Sequence, residues 1–177
     1  MRKNKGSALV WVIISVVAVF LLWAMTLPCC PNEAKQSLKA SIIVSNLRDF
    51  KTAALAWYVD NLDSFDKEGT IFGKAVEDFA DSPESVRAIT SYFNSKRKPP
   101  TLRGKSARPG EYILTCGRNS REWLIGYNLD GEDERVRHKL SGRAKSVGLL
   151  NNPSPESPLY TPESNRVWLL VMTLTGE

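Results

Sequence analysis

The chain has 177 residues, a formal net charge of +5, three cysteines and one histidine. That length fits one domain or one small domain with an appendage, and it excludes a large multi-domain enzyme. A hydrophobic share of 42% excludes general disorder, the single histidine excludes a two-histidine zinc site, and the scattered cysteines form no CxxC framework.

The charge is unevenly placed. Residues 1–28 hold Arg2, Lys3 and Lys5 and no acid, so they contribute +3, while the rest of the chain contributes only +2. Basicity that first suggests an acidic partner is therefore concentrated in a short N-terminal stub.

From Ser7 to Leu27 the sequence SALVWVIISVVAVFLLWAMTL carries no charge. As a helix, that run would rise about 31 Å, close to the thickness of a bilayer's hydrocarbon core. With the basic stub in front, the positive-inside rule predicts a single span in the inner membrane, the N-terminus cytoplasmic and the rest exported. A cleaved secretory signal would have a shorter apolar core and a small-residue cleavage site, whereas this run ends MTLPCC. Only Ser7, Ser15 and Thr26 are polar, and in a helix such hydroxyls can bond back to backbone carbonyls.

The junction Lys5-Gly6-Ser7 adds a second signal. A short basic leader ending in glycine, followed at once by an apolar run, resembles the type IV pilin and pseudopilin family. The resemblance implies cleavage between Gly6 and Ser7 by a prepilin peptidase and methylation of the new amino terminus. Ser7 stands where family members usually have Phe, Met or Leu, and Trp11 stands where most carry a glutamate. The second departure points to a minor subunit. The resemblance further implies an α+β, pilin-like fold: a long N-terminal helix, half membrane-spanning and half amphipathic, packed on a small antiparallel sheet with inserted helices. The implied partners are other pilin-like subunits, the inner-membrane assembly machinery and membrane lipid. The chain divides into a leader at 1–6, an assembly helix at 7–28, an amphipathic continuation at 29–63 and an exported head at 64–177.

Pro28 ends the apolar run and is expected to kink the helix. Asn32 to Asn61 then reads as an amphipathic helix whose buried face holds Leu38, Ile42, Leu47, Phe50, Ala54 and Trp57. Ala53, Ala54 and Ala56 would let a sheet approach its backbone closely.

In the head, Ser82-Pro83-Glu84 has the form of an N-cap, a first-turn proline and an acid, with Val86, Ile89 and Phe93 as the buried side of a short helix. Strands are predicted at Glu111–Cys116, Glu122–Asn128 and Val167–Thr173, the first two joined by GRNSR. Glu132 to Val147 reads as a helix stopped by Gly148. The four prolines between Asn151 and Asn165 predict an irregular loop.

Motifs for chemistry are sparse. The sequence has no phosphate loop, dinucleotide fingerprint or HExxH, and no motif pairs His138 with a nucleophile. No enzymatic activity, metal or cofactor is expected. The acidic run Asp60, Asp63, Asp66 and Glu68 lacks the alternation of a calcium loop and reads as a solvated turn. One basic cluster comprises Lys96, Arg97, Lys98, Arg103, Lys105 and Arg108; another comprises Arg135, Arg137, Lys139, Arg143 and Lys145. The first is a candidate for nucleic-acid phosphate, DNA above all, weighed against a solvated face balanced by the acids at 60–84. Cys29 and Cys30 are adjacent, which disfavours an unstrained disulfide between them; lipid attachment and an inter-subunit bridge are both open. Cys116 is expected to pack as a small apolar residue.

Overall fold

The computed structural model describes residues 11–20, 31–64, 70–71, 74–75, 82–93, 99–104, 106–116 and 122–173. The chain falls into two compact units, Met1–Lys35 and Gln36–Glu177.

In the first unit, residues 11–20 form helix α1. Its large apolar residues are all exposed, from 51% for Ile14 and Val17 to 70% for Phe20. The hydroxyl of Ser15 donates to the Trp11 carbonyl at 2.9 Å, so its one polar side chain is satisfied within the helix. Gly6, Ser7, Pro28, Cys29 and Cys30 lie outside the described residues, as do the leader charges Arg2, Lys3 and Lys5.

The expected localisation needs correction here. Among the described residues, no helix is long and apolar enough to cross a membrane. The described part of the apolar run, residues 11–20, rises about 15 Å as a helix. The long helix, α2 (Pro31–Asp60), carries charge along its length, including Lys39, Arg48, Asp49 and Lys51. A single-pass inner-membrane protein is not supported.

Helix α2 begins and ends within one residue of the predicted span. Its buried stripe is Ala40, Ile43, Val44, Leu47, Phe50, Ala53, Ala54 and Trp57, a continuous i, i+3, i+4, i+7 pattern. The C-terminal half matches the expected face, but the N-terminal half is turned: Leu38 is 61% and Ile42 45% exposed. Of the alanines expected to admit the sheet, Ala53 and Ala54 are buried and Ala56 is exposed.

After the 3-10 turn Leu62–Ser64 come two short strands, β1 (Thr70–Ile71) and β2 (Lys74–Ala75), paired with each other. Helix α3 (Pro83–Ser91) starts as predicted: the Ser82 hydroxyl accepts the Ser85 amide, with Pro83 in the first turn. The remaining strands are β3 (Leu102–Arg103), β4 (Tyr112–Cys116), β5 (Glu122–Asn128), β6 (Leu149–Leu150) and β7 (Arg166–Thr173). They form a five-stranded sheet in the order β3-β4-β5-β7-β6. The fold is α+β, as expected, but the sheet is mixed, because β3 runs parallel to β4 while the other pairs are antiparallel. A parallel neighbour needs a crossover connection, and the chain between Arg103 and Tyr112 makes it.

Alternation along the strands sorts side chains to two faces. Tyr112, Leu114, Trp123, Ile125, Tyr127, Val167, Leu169 and Val171 join the buried stripe of α2 in the main core. Ile113, Leu124 and Trp168 join Ala107 and Leu150 in a smaller cluster. Trp57 stacks on Trp123 at 5.7 Å, and Phe50 lies between Phe93 and Tyr112 at 4.7 and 5.3 Å. Gly126 faces Trp168 across the β5–β7 ladder, and a Cβ there would come within 2.6 Å of the indole.

The predicted helix after Glu132 is divided. Helix α4 (Glu134–Ser141) and helix α5 (Ala144–Val147) are separated by Gly142 and Arg143. Val136, Leu140 and Ala144 are buried and Val147 half-buried, and Gly148 closes α5 at φ +80°, a conformation glycine adopts without strain.

Candidate functional site

Two regions hold the groups that could carry function: the bare apolar surface of α1, and the polar seam where α2 meets the turn before α4.

The seam is built by short sequence signals brought together over long separations. Gly131 turns the chain out of β5 with φ +75°, and Asp133 caps α4 by accepting the Arg135 amide at 2.9 Å. These turns place Glu132 and Asp133 against α2. Asp133 accepts from Gln36 at 2.7 Å, and the Glu132 carboxylate, 8% exposed, pairs with Lys39 and accepts from the Tyr127 hydroxyl at 2.9 Å. Nearby, Asn46 donates to the Tyr112 hydroxyl at 2.9 Å, and Arg143 donates to the Ser41 hydroxyl at 2.8 Å. Burial pushes the phenols of Tyr112 and Tyr127 well above their ordinary range, the Glu132 carboxylate adding to the effect on both. The seam orients α2 on the sheet.

A cleft of about 380 Å³ opens beside it, lined by Glu132, Glu134, Arg137, His138, Pro162 and Glu163. His138 lies exposed on α4, 3.6 Å from Glu134. The Glu163 carboxyl is held below its usual range chiefly by the Thr161 hydroxyl, with His138 a lesser contributor. Among the described residues no group of three or more His, Cys, Asp and Glu could hold a metal ion. In the acidic run, Asp60 ends α2 and Asp63 sits in the 3-10 turn, while Asp66 and Glu68 lie outside the described residues.

Lys96, Arg97, Lys98 and Lys105 lie outside the described residues. Arg103 is ion-paired with Glu111 at 2.7 Å, and the same carboxylate accepts the Arg108 amide at 2.9 Å. That backbone bond is the main reason the Glu111 carboxyl is held below its usual range, with Arg103 assisting. In the second cluster, Arg137 spends its guanidinium on the Leu129 carbonyl and Asn165, and Arg143 on Ser41. These arginines brace loops. Cys116, at the end of β4, packs half-buried against the main core.

Sequence reasoning missed Glu132, Tyr127 and Gln36 as a group. A buried Glu one residue before a capping Asp was the available hint. Compared with known proteins, the chain matches no family model, no curated protein and no solved structure.

Proposed function

We propose that the chain is a minor, pilin-like structural subunit of a type IV pilus, type II secretion or competence filament. It is processed after Gly6 by a prepilin peptidase, methylated at Ser7 and assembled with other pilin-like subunits through its N-terminal helix. No enzymatic step and no cofactor enter this reading.

One observation carries it: α1 is apolar on every side, and each of its large side chains is at least half exposed. An apolar surface of that kind marks an interaction site rather than a solvated helix. The N-terminal helices of neighbouring pilin-like subunits, packed alongside, would cover it. The junction Lys5-Gly6-Ser7 directly before the apolar run supports the same reading, and so does a long helix laid on a sheet with a continuous buried stripe.

The mature N-terminus tests the proposal. Intact mass and N-terminal sequencing are compared in cells with and without a prepilin peptidase. The expected chain begins at methylated Ser7 only where the peptidase is present, and Gly6→Val abolishes the shift. A chain beginning at Met1 in both strains contradicts the proposal.

A further inference from the structure

Helix α3 packs against β3, the edge strand of the five-stranded sheet. Between them lies a cavity of about 450 Å³ lined by Pro83, Val86, Arg87, Leu102, Arg103, Gly104 and Ser106. Its lining falls into two kinds. Pro83, Val86 and Leu102 are apolar, with Leu102 only 6% exposed. Arg87 and Arg103 supply positive charge.

The two arginines differ in a useful way. Arg103 is fixed by its ion pair with Glu111, which is itself tied to the Arg108 backbone. Arg87 is exposed on α3, and among the described residues it forms no ion pair or hydrogen bond. The one acid paired at this wall, Glu111, is already engaged by Arg103 and Arg108. Arg87 is left to meet an anion.

The edge strand adds backbone groups. The parallel register sets Leu102 opposite Tyr112, and the Tyr112 amide donates to the Thr101 carbonyl at 2.9 Å. In a parallel ladder alternate residues bond to opposite sides, so the amide and carbonyl of Leu102 face away from β4. Among the described residues no strand pairs with that side of β3.

An apolar floor, an uncommitted arginine and an open strand edge together suit an extended segment that adds to a sheet and ends in an anion. The geometry points to this groove as a binding site for the C-terminus of a partner peptide, with an apolar last side chain on Val86 and Leu102 and the terminal carboxylate on Arg87. The volume suits one or two residues. Arg103, neutralised by Glu111, shapes the wall and leaves the carboxylate to Arg87. A nucleic-acid phosphate would use the charge and leave the apolar floor idle, so the peptide is the occupant the lining favours. This site does not depend on the filament reading.

The test uses the full chain and fluorescently labelled pentapeptide pools ending in Leu, Ile or Val, as the free acid and as the C-terminal amide, followed by anisotropy. The free acids are expected to bind, and amidation or Arg87→Ala to weaken binding by roughly tenfold each. Arg87→Lys should recover part of the loss. Circular dichroism of both variants should match the parent, because among the described residues Arg87 forms no ion pair or hydrogen bond. Equal binding of acids and amides, insensitivity to Arg87→Ala or no binding at about 1 mM overturns the proposal. Equal displacement by inorganic phosphate or a single-stranded oligonucleotide also overturns it, since that describes a general anion patch.

Discussion

Helices α1 and α2 are both rich in aliphatic residues, yet they use them in opposite ways. Residues 11–20 are apolar on all sides and expose every large side chain, whereas α2 confines its burial to one stripe and sends charge to the other. Hydrophobicity alone does not make a core residue; periodic hydrophobicity facing a partner does. The sheet supplies that partner for α2. For α1 the proposed partner is the N-terminal helix of another pilin-like subunit in a filament.

The comparison can be broken most severely at the α2–sheet contact. Trp57→Ala removes a buried indole stacked on Trp123, and is expected to cost about 3–5 kcal/mol in chemical denaturation. Val17→Ala in α1 should change that same midpoint by less than about 0.5 kcal/mol while reducing assembly. A comparable loss from both variants would mean that α1 also belongs to a folded core.

The polar seam is the next most sensitive place. Glu132→Gln removes the charge that pairs with Lys39 in a nearly buried site, and about 1–3 kcal/mol of stability should go with it. Measured together with Lys39→Met, a double-mutant cycle gives the coupling. Gly148→Ala places a Cβ at φ +80° and should cost about 1 kcal/mol. Leu38→Ser on the exposed side of α2 is expected to fall within about 0.5 kcal/mol.

The buried phenols set the alkaline limit of the head. Tyr112, Tyr127 and Tyr160 are all raised above their ordinary value near 10, chiefly by burial, Tyr160 to about 12. Their neutral forms therefore stabilise the fold fully below about pH 10, and that contribution fades as pH rises through the folded values. A thermal-shift series should be level between pH 8 and about 10 and fall steeply between about 10 and 12. A steep decline already at pH 8 to 9 would show that these phenols are not the limit.

The elements with strong periodicity were legible in the chain. Strand β5 occupies Glu122–Asn128 as predicted, and α2 starts at Pro31 where Asn32 was expected. The phase of α2 was legible at Leu47, Phe50, Ala54 and Trp57, all of them buried. Around Leu38, Ala40, Ile42, Ile43 and Val44 two stripes overlap, and the contact with the sheet decides between them. Strands of two residues, such as β3 and β6, carry no period to read, so the mixed sheet could not be foreseen. The apolar run from Ser7 suggested a membrane span through composition alone; among the described residues its helical part covers 11–20. The seam was hidden for another reason, since Gln36 and Asp133 are 97 residues apart and meet only in the fold.

In the proposed filament, α1 packs against the N-terminal helices of other pilin-like subunits. A photo-crosslinking residue at Val17, with the exposed Arg166 of β7 as the control position, reads that contact in the sheared filament fraction. Crosslinked adducts with other pilin-like subunits are expected from Val17 and few from Arg166. A chain correctly processed at Gly6 that gives no such adduct from Val17 would contradict the proposal.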